Sequence, residues 1–164
     1  MNIESSILYG LSKLQYEGIK PDQKTIVENY LKGKDAFFCS PTGSGKSLKF
    51  EIAPFAFEYL CKSNEMTFKP LVIVVSPLSS LMRSQVNNLQ KRSVNAIHLK
   101  DLTAGSSNGE FEPTTKNILD AHVDIIFGSP ETLLGKNRLL LKELAIKGAV
   151  KAFFVDEAHC IRKL

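Results

Sequence analysis

The 164-residue sequence predicts an α/β fold in which a mostly parallel sheet is flanked by helices on both faces. Apolar residues change repeatedly between helical spacing and short continuous runs, as expected where crossover helices connect parallel strands. The run LVIVV at residues 71–75 has no polar alternation, which is typical of a central strand covered on both faces. With 43% hydrophobic and 23% charged residues, the composition suits one globular domain with a substantial core.

The N-terminal region predicts two helices. An amphipathic helix over residues 3–16 should end before Gly18. A second helix should begin at Pro21, a favoured first-turn residue, and end at Leu31, ahead of Gly33. We expect the apolar face of the first helix to carry Ile7, Leu8, Leu11 and Leu14.

A short apolar run and a longer apolar stretch follow. Residues 35–39 (DAFFC) predict a buried strand, and after a Gly-rich turn residues 45–61 predict a helix that Pro54 should kink. Two aromatic pairs should lie in the core of strands, namely Phe37-Phe38 and Phe153-Phe154.

The remaining elements alternate strand and helix as far as residue 155. A helix is predicted over residues 77–90, with Leu78, Leu81, Val86 and Leu89 as its apolar markers. A weaker strand over residues 94–99 precedes a Gly- and Ser-containing surface loop over residues 101–111. Then follow a helix, a strand, a helix and a last strand at residues 114–121, 123–127, 130–146 and 152–155.

The domain organisation follows from this pattern. Residues 1–164 form one domain, and residues 1–33 form its N-terminal helical region. Because the chain stops just after a strand expected deep in the sheet, we expect it to be part of a longer protein.

Charge and composition limit the class of protein. The net charge of +4 and the pI near 8.9 permit a polyanionic partner without requiring one. Apolar runs are far shorter than the roughly 20 residues of a membrane-spanning helix, and the N-terminus does not resemble a signal peptide. We therefore expect an intracellular protein without membrane contact, nuclear if eukaryotic and cytoplasmic if bacterial. Three cysteines without a CxxC pair predict reduced, mostly packed thiols, not a zinc site.

The strongest motif is SPTGSGKS at residues 40–47, between a predicted strand and a predicted helix. It matches the phosphate-binding P-loop except that Ser40 replaces the first glycine. Backbone N–H groups of such a loop point at phosphate oxygens, the Lys46 ammonium reaches the β and γ phosphates, and the Ser47 hydroxyl is a ligand of Mg²⁺. The alternative is an ordinary Gly/Ser turn with an exposed lysine. The candidate ATP-binding residues here are Pro41, Thr42, Gly43, Ser44, Gly45, Lys46 and Ser47.

A second motif, DEAH, begins at Asp156 directly after a predicted strand. Ligands of α/β sheets bind at the carboxyl ends of strands. Asp156 can hold Mg²⁺ through its water shell, and Glu157 can orient a water for attack on the γ phosphate. We take Lys46, Asp156 and Glu157 as the catalytic candidates, against the alternative of two strand-end acids beside a histidine.

Together these motifs resemble the first RecA-like domain of superfamily-two helicases, and DEAH followed by Cys160-Ile161 resembles the RecQ family of DNA helicases in particular. The resemblance spans nearly the whole chain. It implies a RecA-like P-loop NTPase domain, ATP and Mg²⁺ as cofactors, and 3′ to 5′ DNA unwinding by the full-length protein. It also implies that His159 couples the nucleotide site to the neighbouring lobe or to DNA.

Residues 16–23 fit the region that this family has upstream of its P-loop, with Tyr16, Lys20, Pro21 and Gln23 where the family has Tyr, Arg, Pro and Gln. The resemblance implies that Gln23 reads the adenine edge and that Tyr16 and Lys20 pack against the base. An amide suits this role because it donates and accepts hydrogen bonds at once. The alternative is a solvated glutamine and a core-facing tyrosine at a helix end.

Two strand-to-helix turns, at residues 75–85 and 128–131, match DNA-facing motifs of the same family. Hydroxyls and N–H groups at a helix start form a sequence-independent phosphate cradle, and Arg83 adds a charge. The alternative is that each Ser-Pro pair is an ordinary helix start. The DNA-binding candidates are Ser76, Pro77, Ser80, Arg83, Gln85, Ser129, Pro130 and Glu131.

The chain departs from the family pattern at its end, where Leu164 stands in place of a Trp that opens a DNA-sensing loop. The family's second RecA-like domain, which supplies an arginine finger, lies outside these 164 residues. We therefore expect MgATP binding without appreciable hydrolysis or unwinding by this chain alone. Its expected partners are single-stranded or junction DNA, bound without sequence preference, and that second domain of the full-length chain. The alternatives are an RNA-directed helicase lobe, which Cys160-Ile161 disfavours, and a non-catalytic adaptor that binds ATP or DNA.

Overall fold

The chain folds into two compact units, Met1–Pro70 and Leu71–Leu164. The computed structural model describes residues 2–39, 45–61, 67–104 and 114–157. Helices make up the regular structure described in the first unit, and the second unit contains the sheet. No helix in the described part of the chain is both long and apolar enough to cross a bilayer.

The first unit contains four helices among its described residues: α1 (Ile3–Lys13), α2 (Pro21–Leu31), α3 (Leu48–Glu51) and α4 (Ala53–Cys61). The bounds predicted for α2 are confirmed. The predicted kink is also confirmed, because the helix breaks at Ile52, just ahead of Pro54. Helix α1 packs against α4, and a Cβ on Gly10 would lie 3.0 Å from the carbonyl oxygen of Ile52. A glycine is therefore needed where these helices approach.

Helix α1 ends earlier than predicted, because Gln15 and not Gly18 reverses the chain. Gln15 has φ 55°, and the N–H of Tyr16 donates to the carbonyl oxygen of Leu11 at 2.9 Å. This is the Schellman closure, in which a left-handed residue returns the chain across the last helical turn. The same closure ends four further helices, at Gly33, Ser93, His122 and Gly148.

The second unit is built on a four-stranded parallel sheet of order β2-β3-β1-β4. Helices contact this sheet, which confirms the α/β fold with a parallel sheet flanked by helices. The strands are β1 (Leu71–Val75), β2 (Ala96–His98), β3 (Ile125–Gly128) and β4 (Val150–Val155). The helices are α5 (Ser79–Lys91), α6 (Leu99–Ala104), α7 (Thr115–Asp120), α8 (Pro130–Leu134) and α9 (Arg138–Ile146).

Strand β1 lies in the middle of the core, as predicted, because it pairs with β3 on one side and β4 on the other. Helix α5 turns Met82, Val86 and Leu89 inward. Two of its predicted apolar markers are wrong, since Leu78 and Leu81 are exposed. Leu8 of α1 is likewise exposed, because a 3.6-residue period brings Ser6, Ile7, Gly10 and Leu11 to the buried face instead.

Several predicted elements are wrong. Residues 35–39 form no strand, and Phe37 is 84% exposed. Nothing in the described chain pairs with this segment, and a short apolar run becomes a strand only where a neighbour accepts its hydrogen bonds. Phe38 is half-buried with the Nζ of Lys49 3.8 Å from its ring centroid, and Phe153 is 56% exposed. Neither Phe37 nor Phe153 is a core residue.

Two further segments differ from the prediction. Residues 101–104 belong to α6 and not to a loop, whereas residues 105–111 lie outside the described residues. The helix predicted over residues 130–146 is divided into α8 and α9. The division falls at Gly135, whose ψ of −123° is not helical, and the Nδ2 of Asn137 donates to the carbonyl oxygen of Thr132 at 2.9 Å across the break.

Candidate functional site

Three residues of the predicted P-loop, Gly45, Lys46 and Ser47, lie within the described chain, and residues 40–44 lie outside it. Gly45 has φ 77°, a conformation that L side chains rarely adopt. A Cβ at Gly45 would also lie 3.0 Å from Nε2 of Gln23. Ser47 leads into α3, and its carbonyl oxygen accepts the N–H of Phe50 at 3.1 Å and of Glu51 at 3.0 Å. The positive φ and the close approach of Gln23 both favour glycine at this position.

The predicted adenine reader, Gln23, is joined to the end of the P-loop. Its side chain is buried, its Nε2 donates to the carbonyl oxygen of Gly45 at 2.9 Å, and its Oε1 accepts the N–H of Lys20 at 3.0 Å. The second bond is one half of a capping box at the start of α2. The solvated-glutamine alternative is wrong, because Gln23 connects the start of α2 to Gly45.

Tyr16, from the same segment upstream of the P-loop, contacts the helix that follows the loop. It is half-buried, and its hydroxyl donates to the carboxylate of Glu51, which is buried on α3 directly after the loop. Lys20 is exposed at the start of α2. The structure thus connects Gln23 to the end of the P-loop and Tyr16 to α3, the helix that follows the loop, and the adenine contacts assigned to them stay predictions.

The two acids of the DEAH motif that are described lie at the carboxyl edge of the second unit's sheet. The N–H of Asp156 donates to the carbonyl oxygen of Val75 at 2.8 Å, which extends the pairing of β4 with β1. The Asp156 carboxylate accepts the N–H of Glu157 at 3.1 Å, and Glu157 has φ 55°. A non-glycine residue in this region is uncommon and costs on the order of 1–3 kcal/mol. Both side chains are half-buried, and His159 lies outside the described residues.

Parallel pairing brings two predicted DNA-facing turns to this same edge. Ser76 follows β1 and Ser129 follows β3, and the N–H of Ser76 donates to the carbonyl oxygen of Gly128 at 3.1 Å. Ser76 is fully buried, and its Oγ has no hydrogen-bond partner among the described residues. Helix α5 begins at Ser79, so Ser76-Pro77 is not a helix start, and that alternative is wrong here.

The second turn is the helix start that the alternative interpretation predicts. Ser129 caps α8 by accepting the N–H of Thr132 at 3.2 Å, and Pro130 occupies the first helical position. Glu131 is exposed, and hydrogen bonds from its own backbone N–H and from the Ser129 hydroxyl lower the pKa of its carboxyl. The negative charge of an ionised Glu131 would repel a DNA phosphate at this position.

The DNA-binding candidates on α5 differ in exposure. Ser80 and Arg83 are exposed, whereas Gln85 and the preceding Pro77 are half-buried. The Arg83 guanidinium donates to the carboxylate of Asp101 on α6, with Nη2 to Oδ1 at 2.7 Å. Arg83, the one cationic residue among these candidates, is therefore already paired with Asp101. DNA contact by these residues stays a prediction.

The chemistry of the metal candidates suits a hard divalent cation. Ser47 offers a hydroxyl oxygen and Asp156 a carboxylate oxygen, the ligand types that Mg²⁺ prefers alongside water and phosphate. Within the described ranges no three His, Cys, Asp or Glu residues cluster as an all-protein metal site. Ser47 belongs to the first unit and Asp156 to the second, and their shared metal stays a prediction.

The parallel sheet with its helices, the P-loop motif with a left-handed Gly45 before Lys46 and Ser47, and the acidic pair at a strand end define a nucleotide-binding domain of the P-loop class. The chain belongs to the DEAD/DEAH box helicase family, whose model matches residues 20–164.

Comparison with known proteins gives several relatives. The chain is 30% identical over 159 residues to ATP-dependent helicase SGS1 of Saccharomyces cerevisiae, covering 94% of this chain and 10% of that protein. It is 29% identical over 146 residues to ATP-dependent DNA helicase RecQ of Haemophilus influenzae, covering 89% and 21%. It is 29% identical over 160 residues to ATP-dependent DNA helicase Q4 of Mus musculus, covering 96% and 12%. The chain thus spans only 10–21% of the length of these relatives.

Sequence reasoning missed two carboxylates that contact predicted site residues, and a histidine that contacts one of these carboxylates. Glu51 accepts the Tyr16 hydroxyl, Asp101 pairs with Arg83, and Oδ2 of Asp101 lies 3.1 Å from Nδ1 of the buried His98. The pairing of Asp101 could not be predicted because residues 101–111 have the composition of a surface loop. A carboxylate four residues after the P-loop serine was a usable signal for Glu51, since that spacing places it one helical turn further on.

Proposed function

We propose that this chain is the ATP-binding lobe of a RecQ-like, ATP-dependent DNA helicase that translocates 3′ to 5′ as a full-length protein. The observation that carries the proposal is the end of the P-loop, where Gly45 adopts φ 77° and is bonded to Gln23 immediately before Lys46 and Ser47. The buried Gln23 therefore lies next to the two residues proposed to hold phosphate and Mg²⁺, which supports a nucleotide site at this end of the loop. The names of the relatives, which are helicases and include DNA helicases, support the choice of DNA.

The roles of the residues follow from their chemistry. Backbone N–H groups of residues 41–45 and the Lys46 ammonium hold the phosphates, while Tyr16, Lys20 and Gln23 hold the adenine base. Ser47 and Asp156 would hold Mg²⁺, and the ion would neutralise phosphate charge when bound. Glu157 orients the attacking water, and His159 couples the nucleotide site to its neighbours.

Hydrolysis and unwinding require more than this lobe. A second RecA-like domain of the full-length chain would supply an arginine finger, which in related phosphoryl transfer contributes on the order of 10³–10⁵ in rate. We therefore propose that the 164-residue chain binds MgATP, with weak sequence-independent affinity for single-stranded DNA, and hydrolyses ATP very slowly. The full-length protein acts inside the cell.

The test is a calorimetric titration of the 164-residue chain with MgATP, comparing wild type with Lys46→Ala. The variant should lose measurable binding, because a charge-assisted contact to phosphate contributes roughly 1.5–3 kcal/mol, which is about ten- to 150-fold in affinity. Lys116→Ala removes the same charge from an exposed position on α7 and should bind like wild type. Circular dichroism checks that both variants are folded. Unchanged affinity in Lys46→Ala contradicts the proposed nucleotide site.

A further inference from the structure

Arg83 and Asp101 form a forked ion pair on the surface of the second unit. Nε of Arg83 donates to both carboxylate oxygens at 3.2 Å, and Nη2 donates to Oδ1 at 2.7 Å. The arginine side chain is 57% exposed and the aspartate side chain 43% exposed. Fork-to-carboxylate geometry is the same geometry that arginine uses for phosphate. The Arg83 guanidinium could therefore bind a phosphate, but it is already paired with the carboxylate of Asp101.

Asp101 is contacted from two directions. It lies in the first turn of α6, directly after β2, and its Oδ2 is 3.1 Å from Nδ1 of His98. His98 is buried at the end of β2, and its Nδ1 has no acceptor of hydrogen-bond geometry among the described residues. The hydrogen bonds from Arg83, and secondarily the nearby His98, lower the pKa of the Asp101 carboxyl. Asp101 is thus an ionised group placed between a buried imidazole and the guanidinium.

Arg83 lies on α5, which follows the predicted DNA-facing turn after β1, and Asp101 lies on the helix that follows β2. In the sheet β3 lies between these two strands, and the ion pair joins the helices that follow them, α5 and α6. Arginine can direct its fork at one planar anion at a time. A phosphate that uses Arg83 in this way must first displace Asp101.

We propose that Asp101 is an electrostatic latch on Arg83, which competes with nucleic-acid phosphate for the guanidinium and so sets the DNA affinity of this surface. The proposal rests on the proposed function, since the competing anion is the DNA backbone. Asp101 is a positioning residue here, and it acts through Arg83 without touching the ligand. Because the pair is largely solvent-exposed, breaking it costs little free energy. A DNA phosphate can therefore displace Asp101 from Arg83.

The experiment measures fluorescence anisotropy of a labelled oligothymidylate titrated with the 164-residue chain at low and at moderate salt. Asp101→Asn should bind the oligonucleotide about two- to fivefold more tightly than wild type, the range expected from opening an exposed ion pair. Its salt dependence should steepen by about one counterion, because one more cation is available to phosphate. Arg83→Ala should bind more weakly than wild type, and adding Asp101→Asn to it should change nothing.

Two controls separate the latch from other effects. Asp120→Asn removes the same charge from an exposed position on α7, and it should leave the affinity unchanged. Equal tightening by Asp120→Asn and Asp101→Asn would mean that net charge alone acts, which overturns the proposal. Asp101→Ser removes the charge with a smaller side chain and should reproduce the effect if Asp101→Asn folds poorly.

The outcomes distinguish this proposal from the proposed function. If wild type binds and Arg83→Ala weakens binding, but neither Asp101 variant tightens it, the latch is wrong while DNA binding stands. If wild type binds too weakly to measure and Asp101→Asn binds, the latch is supported. If no variant binds the oligonucleotide, DNA binding by this lobe and the latch both fail, whereas the MgATP titration still tests the nucleotide site.

Discussion

Gln23 offers the sharpest test of the nucleotide site, because its amide makes one bond to a helix cap and another to the P-loop. Gln23→Ala removes both bonds, to the N–H of Lys20 and to the carbonyl oxygen of Gly45. Gln23→Glu is the matched variant. Its carboxylate can still accept from Lys20, since glutamate serves a capping box equally well, but its second oxygen would face the Gly45 carbonyl oxygen. The two variants therefore separate the cap from the contact to the loop.

The expected loss of stability follows from the two hydrogen bonds, at 3.0 Å and 2.9 Å, of a side chain that is only 3% exposed. Each such bond contributes a net of about 0.5–1.5 kcal/mol. Lys20 and Gly45 are exposed, so water can partly replace the lost partner at both ends. We expect Gln23→Ala to lower the free energy of unfolding by about 1–2 kcal/mol, or roughly 2–8 °C in Tm for a chain of this size.

The assay compares MgATP with MgGTP by calorimetry, because the two nucleotides share their phosphates and differ in the base edge. An amide that reads adenine contributes on the order of 1–3 kcal/mol of discrimination, the range of a bidentate base contact. Wild type should therefore prefer ATP by at least about fivefold, and both Gln23 variants should bind the two nucleotides nearly equally. Gln23→Glu should also weaken both, because it disturbs the Gly45 carbonyl.

An equal loss of ATP and GTP affinity, with the preference for ATP retained, would refute adenine reading by Gln23. The residue would then act only by holding the end of the P-loop. Unfolding curves for both variants, measured in urea, show whether a lost affinity comes from the site or from the fold.

Two further predictions concern stability. Gly33→Ala should destabilise the chain by about 1–2 kcal/mol, since Gly33 has φ 75° and open space around its Cα, whereas Gly18→Ala, also in open space but without a positive φ, should be neutral or slightly stabilising. Equal Tm values for the two variants would contradict the left-handed closure of α2. The ion pair lowers the pKa of Asp101, so its stabilisation is present above about pH 4 and is lost as the pH falls through the lowered pKa. Asp101→Asn should therefore unfold at lower urea than wild type at about pH 7, the difference should shrink as the pH falls below about 4, and a constant difference would contradict the pairing.

The regular elements could be predicted wherever local chemistry alone decides them. Pro21 and Gly33 bracket α2, Pro54 breaks the helix before it, and the apolar run of β1 gives the central strand. The failures lie where a distant partner decides. Residues 35–39 are apolar enough for a strand but pair with no strand in the described chain. Gln15 ends α1 with a φ of 55°, a left-handed conformation that is not typical of glutamine.

The site shows the same division. The P-loop and the DEAH motif are each an unbroken run of residues, so each could be recognised from the sequence. The contacts made by the other candidate residues join positions that are far apart in the sequence. The partners of Tyr16 and Arg83, Glu51 and Asp101, lie 35 and 18 residues further along the chain. Pairings at such separations depend on which helices meet, and that is a property of the packed unit.

The orientation of the Gln23 amide is fixed by its two neighbours, one at the start of α2 and one at the end of the P-loop. Its oxygen faces a donor, the N–H of Lys20, and its nitrogen faces an acceptor, the carbonyl oxygen of Gly45. Flipping the amide would place oxygen against oxygen and N–H against N–H, so only one orientation is compatible with both neighbours. An adenine edge that meets this amide meets a fixed pattern of donor and acceptor. Gly45 is the residue before Lys46, so if Gln23 binds adenine as proposed, a shift of its amide would also move the backbone next to the lysine.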